Sequence, residues 1–215
     1  MRANVVRINR GDPSYPHCVA DHLGDDAPTA ITLRGQPQLL RRVQLGLICS
    51  VSCPGSVVIK TYDVIRELRD AGVVVAGGFR SPMERECLDF LLRGTQPVIL
   101  CPARGLEWLS LTPQQEQAAE RGRLLVLSIF GPETTQGTVA LALRRNDFVA
   151  ALARSVFVPH AAPGGKTEAT AIRAIARSQD VLTFDDDENA QLIGLGAKPL
   201  CVRDLVRWAR SQEEQ

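Results

Sequence analysis

Aromatic residues are scarce in this sequence: two Trp, two Tyr and six Phe among 215 residues, or 5%. A surface that held nucleic-acid bases by stacking would have few platforms to use. Charge of one sign is also lacking, with 25 Lys and Arg against 24 Asp and Glu, a net charge of +1. No global attraction for a polyanion follows, so any nucleic-acid contact has to come from a local basic patch. No apolar run approaches the roughly 18 residues of a membrane span, and no apolar segment follows Met1-Arg2-Ala3-Asn4 as it would in a secretory leader. The expectation is a soluble, cytoplasmic protein. Zinc-type spacing is missing as well: Cys49-x-x-x-Cys53 and the His17, Cys18, His22 cluster each lack a second half, so no metal and no cofactor is expected. Cys49, Cys101 and Cys201 lie in apolar runs and read as small buried hydrophobes rather than disulfide partners.

What is present is ordinary globular usage, 45% apolar and 23% charged, enough for one α/β domain with a full core. Residues 1–35 are polar and turn-rich, with Gly11-Asp12-Pro13 and Asp25-Asp26-Ala27-Pro28, and read as an irregular lead-in packing on the core, closed by a short strand at Ile31-Thr32-Leu33. Residues 36–210 are read as the domain proper and residues 211–215 as a solvated tail. Pro37 to Arg42 suggests one helical turn. Short apolar runs then alternate with helical segments: Leu45–Val51, Val73–Gly77, Pro97–Cys101, Leu124–Ile129, Ser155–Pro159, Val181–Phe184 and Leu200–Val202. Runs of this kind are strands of a parallel sheet buried on both faces. Thr61 to Ala71 carries a helical stripe and stops at Gly72, and Thr112-Pro113-Gln114-Gln115 starts a helix that ends at Gly122. In the last long helix Ala169, Ile172, Ile175 and Ala176 form the expected apolar stripe, with Arg173 and Arg177 facing away. The predicted fold is α/β, a Rossmann-like doubly wound, mostly parallel sheet with helices on both faces.

In such sheets ligands sit beyond the carboxyl ends of the strands. The stretch Arg144-Arg145-Asn146-Asp147 through Thr170 is the richest there. It is read as a helix beginning near the basic pair, a strand, and a Gly164-Gly165 turn opening a second helix near Thr167. The first turn of a helix has unpartnered N–H groups and partial positive charge, so it can hold a phosphate. The glycines permit close approach, Lys166 adds charge, and Thr167 or Thr170 adds a hydroxyl. The bland alternative is an ordinary strand-to-helix turn capped by Thr167. Asp185-Asp186-Asp187-Glu188 is read as an acidic solvated loop.

The order of motifs resembles the DprA (Smf) family of DNA-processing proteins. It rests on Asp12-Pro13-Ser14-Tyr15-Pro16, Leu33-Arg34-Gly35, Ala76-Gly77-Gly78-Phe79-Arg80, Pro97 to Gly105, Arg145-Asn146 followed by Arg154-Ser155-Val156-Phe157-Val158, and Thr170-Ala171. The likeness covers roughly residues 10 to 185. The resemblance implies an extended Rossmann domain of the SLOG/LOG-like superfamily that binds single-stranded DNA, loads a RecA-type recombinase, dimerises and catalyses no reaction. Candidate contacts are Arg80, Arg104, Arg145, Asn146 and Lys166, with Gly164, Gly165, Thr167 and Thr170 around the phosphate; Phe79 and Trp108 are the aromatic platforms to consider. Some positions depart from the family pattern. Its Gly-Ser-Arg is Ser50-Val51-Ser52 here, its Asp and His are replaced in the stretch Ser81-Pro82-Met83 to Glu86-Cys87, and its second Arg after Asn146 is Asp147, expected to repel a phosphate. No helical domain precedes and no winged-helix tail follows, so a divergent, core-only member is expected.

Two other readings stay open. One is a nucleotide pocket, as in the superfamily's sensors and phosphoribohydrolases, with Pro163-Gly164-Gly165 and Thr167-Glu168 loosely matching their motif. Glu168 would then be a general acid/base, or simply a carboxylate favoured at a helix N-terminus. The other is a scaffold that keeps the fold without a ligand.

Overall fold

The computed structural model describes residues 5–42 and 45–200. Cys201, Val202 and the tail from Ser211 lie outside them. The strands are β1 (Val5–Asn9), β2 (Ala30–Arg34), β3 (Leu45–Leu47), β4 (Val75–Gly77), β5 (Val98–Leu100), β6 (Leu124–Ser128), β7 (Ser155–Phe157), β8 (Asp180–Phe184) and β9 (Lys198–Leu200). They form a nine-stranded sheet in the order β1-β2-β6-β5-β4-β3-β7-β8-β9. Every pairing from β6 to β9 is parallel, whereas β1 with β2 and β2 with β6 are antiparallel. The fold is the α/β, Rossmann-like, mostly parallel architecture expected of doubly buried apolar strands.

The helices are α1 (His17–Leu23), α2 (Gly55–Asp70), α3 (Pro82–Leu92), α4 (Pro113–Glu120), α5 (Val139–Leu152), α6 (Lys166–Ala176) and α7 (Ala190–Gly194). Leu45, Leu47, Val75, Val98 and Leu100 pack with α2, α3 and α4 on one face of the sheet. Ile48, Ala76, Ile99 and Val156 pack with α1, α5 and α6 on the other. The predicted capping box of α4 is present, Thr112 Oγ1 accepting from Gln115 N, and Gly72, just past α2, takes a positive φ of 80°. Pro37–Arg42 forms a 3-10 helix.

Several local expectations are corrected. Residues 5–30 are not irregular. Ile8 pairs with Ile31 across β1 and β2, and β2 continues onto β6. The outer face of this edge hairpin is solvated, so its short alternation is diluted by Arg7, Asn9 and Thr32 and reads as polar. The His17, Cys18, His22 cluster anchors α1: the Cys18 thiol donates to Leu152 O and His22 Nδ1 meets Ala151 O, both at the end of α5. Helix α2 starts at Gly55 rather than Thr61. Helix α5 starts at Val139, where the Thr138 hydroxyl accepts from Leu141 N, so Arg144 and Arg145 lie in mid-helix and not at a helix start. In α6 the face against the sheet is Thr167, Thr170, Ala171 and Ala174, while Ile172 is 42% exposed. Close packing of a helix on a sheet selects small side chains over the most apolar ones. Within the acidic loop Asp186 is half-buried and ion-paired with Lys60; its neighbours are exposed.

Candidate functional site

From β3 the chain steps outward to β4, β5 and β6, then returns to place β7 on the other side of β3. The loops after β3 and β7 diverge there, which opens the crevice where ligands of such sheets bind. Two cavities meet in it. The smaller, about 310 Å³, is walled by the loop after β3 (Cys49 to Ser52), by Ala162, Lys166 and Thr167, and by Asn146. The larger, about 530 Å³, lies on the β5 side and is lined by Arg85, Asp89, Arg104, Trp108 and Thr112. Arg80, Ala142 and Arg145 line both.

Arg145 is the hinge of this arrangement. Its side chain runs from the middle of α5 across the end of β4, is only 5% exposed, and donates to Cys101 O (2.9 Å) and Asn146 Oδ1 (2.8 Å). Among the described residues it makes no ion pair, so the remaining N–H donors of the guanidinium are left for the cavities. Burial lowers its pKa from the ordinary arginine value, against the opposing pull of Glu84. A buried guanidinium without a carboxylate is costly unless an anion completes it. Gly78 makes room for it, since a Cβ on Gly78 would sit 1.3 Å from Arg145 Nη1.

Two loops are tied together by a residue that the sequence analysis does not single out. Glu84 is buried and accepts from three backbone amides: Cys49 N (3.2 Å), Arg80 N (2.9 Å) and Ser81 N (3.0 Å). The Ser81 hydroxyl returns a bond from Glu84 N, completing a capping box with Pro82 at the first helical position. The signal was present as Ser81-Pro82-Met83-Glu84. Glu84 therefore ties the loop after β3 to the loop after β4. In the loop after β4 Phe79 adopts a left-handed backbone (φ 46°), rare for an aromatic residue, and is buried. It is packing, not a stacking platform. Trp108 is 52% exposed, with its indole N–H fixed on Pro132 O at 2.7 Å.

Of the expected contacts, Arg80, Arg104, Arg145, Asn146, Lys166 and Thr167 are brought together around the two cavities. Gly164, Gly165 and Thr170 are not. Gly164 N donates to Glu168 Oε2 (2.7 Å) and Gly165 N to Ala162 O (2.9 Å), so the glycine amides are used within the turn. Thr170 faces the core and accepts from Arg173. Gly165, not Thr167, is the N-cap of α6. Glu168 is held by Gly164 N and by Gln191.

Asp147 departs from expectation. It lines a separate cavity of about 610 Å³ with Phe148 and Arg173, and both its oxygens accept from Arg173 at 2.8–3.1 Å. Its charge is neutralised on another face of α5, so it opposes no phosphate at the crevice. Asp147→Asn is expected to change oligonucleotide affinity by less than about two-fold, because a paired charge outside the site is screened. An anisotropy titration checks this, and a ten-fold gain would put Asp147 back in the site.

Fold and crevice together define a Rossmann-like α/β domain with a cationic, hydroxyl-lined site at the switch point of its sheet. The chain belongs to the DNA recombination-mediator protein A family, whose model matches residues 7–205. No curated protein matches it. Among solved structures it is similar to DNA processing protein A of Streptococcus pneumoniae, with 22% identity, a TM-score of 0.79, and coverage of 95% of this chain and 74% of that one. It is likewise similar to DNA processing protein A of Helicobacter pylori, which binds single-stranded DNA, with 17% identity, a TM-score of 0.79, and coverage of 98% of both chains. The molybdenum cofactor binding protein of Rippkaea orientalis shares the fold at 12% identity and a TM-score of 0.58, over 80% of this chain and 97% of that one. Among the described residues no helix is long and apolar enough to cross a membrane.

Proposed function

We propose that this protein binds single-stranded DNA through the switch-point crevice and acts as a non-catalytic recombination mediator in the cytoplasm, delivering DNA to a RecA-type recombinase as a homodimer. The observation that carries the reading is Arg145: a buried guanidinium without an ion-pair partner among the described residues, shared by two adjoining cavities and flanked by Arg80, Arg104 and Lys166. Phosphates along a backbone would complete it, and the local cation cluster offsets the near-zero net charge of the whole chain. Family membership and the single-strand binding of the Helicobacter relative support the choice of ligand. The mediator role, the recombinase partner and the dimer rest on the family resemblance.

A non-catalytic role is supported by Glu168, the one acid/base candidate suggested by the superfamily motif. Its carboxylate is engaged by Gly164 N and Gln191 and does not line either cavity. A nucleotide-like ligand is the second reading, favoured by the modest 310 Å³ volume of the cavity beside Lys166.

The test is fluorescence anisotropy with a labelled single-stranded oligonucleotide at about 50 and about 200 mM salt. If the four cations each meet a phosphate, affinity falls about 50-fold over that range. Lys166→Ala, at the exposed rim, is expected to weaken binding several-fold and to reduce the salt slope by about 0.7. Absence of binding at the lower salt overturns the single-strand reading, and a thermal shift with a mononucleotide would then favour the second.

A further inference from the structure

We infer that this protein has a second ligand site, at the opposite end of the sheet from the crevice, that takes an organic anion with an apolar body. The site is independent of the single-strand reading. A cavity of about 850 Å³ lies there, larger than either cavity of the crevice and within the roughly 300–1,000 Å³ of small-molecule sites. Its walls are the turn from Pro13 to Pro16 with the start of α1, the 3-10 helix Pro37–Arg42, and Leu152 to Arg154. Leu152 to Arg154 lead into β7 and the 3-10 helix precedes β3, so the cavity sits at the amino ends of the two strands whose carboxyl ends open the crevice. Pro13-Ser14-Tyr15-Pro16 lines neither cavity of the crevice and forms a wall here.

The walls are set without a ligand. Pro13, Pro16 and Pro37 have a preset φ. Tyr15 is 4% exposed and its hydroxyl donates to Pro28 O (2.8 Å), while Cys18 and His22 tie α1 to the end of α5. Buried Leu40 and Leu152 supply an apolar floor.

The charge around this floor has one sign. His17, His22, Arg41 and Arg154 line the cavity, and among the described residues no carboxylate does. Of the acids nearby in the chain, Asp12 accepts from Asn9 N (2.7 Å) and Asp21 is exposed on α1. Helix α5 ends at the cavity, and its carbonyl end would repel an anion if left bare. Its last four carbonyls are all taken: Val149 O accepts from Ala153 N (3.2 Å), Ala150 O from Gln179 Nε2 (2.7 Å), Ala151 O from His22 Nδ1 (3.0 Å) and Leu152 O from the Cys18 thiol (3.6 Å). His17, Arg41 and Arg154 are exposed, so the cations form the rim and the leucines the floor. Inorganic phosphate would use the rim alone and a neutral hydrocarbon the floor alone. An aryl or alkyl carboxylate, sulfonate or phosphate monoester uses both.

The probe is anilinonaphthalene sulfonate, titrated into the full chain and followed by its emission, which rises in apolar surroundings. Saturable binding is expected. Arg41→Glu and Gln38→Glu, both at exposed lining positions, should each weaken it about five-fold with the thermal melt unmoved. Neither should affect phenylnaphthylamine, which keeps the rings and lacks the sulfonate, and Lys166→Ala at the crevice should leave the sulfonate's affinity unchanged. The place of binding is read from imidazole proton signals by NMR, because the chain has three His. His17 and His22 line this cavity, whereas His160 is buried beside the loop after β3, its carbonyl accepting from Ser50 N. The sulfonate should shift the first two signals and leave the third. Displacement by decanoate or by a nucleoside monophosphate separates a fatty-acid-like anion from a nucleotide. The inference is overturned if the sulfonate does not saturate, if both glutamate variants bind it as tightly as the parent, or if His160 shifts while His17 and His22 do not. A single-stranded oligonucleotide that shifts His17 and His22 would also overturn it, by making the cavity part of the nucleic-acid surface.

Discussion

Gly78→Ala is expected to weaken single-strand binding as much as Arg145→Ala does, about ten- to hundred-fold, while leaving the melting temperature nearly unchanged. The size follows from losing a charge-assisted contact of a desolvated guanidinium, worth about 1.5–3 kcal/mol. The three atoms nearest the added methyl are all in the Arg145 guanidinium: Nη1 at 1.3 Å, Cζ at 1.8 Å and Nη2 at 2.4 Å. A flexible side-chain end swings away at small cost to the fold, but in doing so it abandons Cys101 O and the cavities it joins. The double variant should be no worse than either single one, because both remove the same group. Anisotropy titrations of the three variants, with thermal melts alongside, check this. Full affinity in Gly78→Ala would show that binding does not depend on Arg145 in the space above Gly78, and additive losses in the double variant would show that Gly78→Ala acts by another route.

Glu84→Ala should produce the largest loss of stability of any single change at the site. Three backbone amides lose their acceptor, two of them in buried bonds, and one of these two, Ser81 N, is also the returning half of the α3 capping box. Each unsatisfied buried donor costs about 1–3 kcal/mol. The sum is about 3 kcal/mol after partial relaxation, or a fall in melting temperature of roughly 10 °C for a chain of this size. Glu84→Gln keeps one acceptor oxygen and should fall between. Because Glu84 joins the loops after β3 and β4, binding is expected to weaken in Glu84→Ala even at temperatures where the protein is folded. A thermal melt that moves by less than about 3 °C would mean that other groups hold these loops.

Much of the fold was legible because doubly buried strands leave apolar runs and because helix ends carry local chemistry. Val98–Leu100 and Leu124–Ser128 were visible as runs, and Thr112-Pro113-Gln114-Gln115 as a cap. The edge hairpin was not, since Val5 and Arg7 face solvent and leave too few apolar positions to show alternation. The α6 stripe was misread for a different reason. Hydrophobicity marked Ile172, but the sheet accepts Ala171 and Ala174.

At the site the division is similar. Arg80, Arg145, Asn146 and Lys166 were named from residue type and order, and the crevice gathers them. Gly164 and Gly165 looked like a phosphate cradle, yet their amides are consumed by Glu168 and Ala162. Asp147 looked like a repulsive charge at the same place, yet a mid-helix position turns it toward Arg173. Glu84 was overlooked although its capping box was written in four consecutive residues.

The sequence by itself determined the α/β architecture, the positions of the central parallel strands and the chemical inventory of the crevice, because burial on both faces and helix capping act over a few neighbouring residues. Only the tertiary structure decided which of those groups face a ligand. The pairing of Arg145 with the space above Gly78, the tying of two loops by Glu84 and the withdrawal of Asp147 depend on where α5 crosses the sheet, and that crossing is set by packing between segments far apart in the chain.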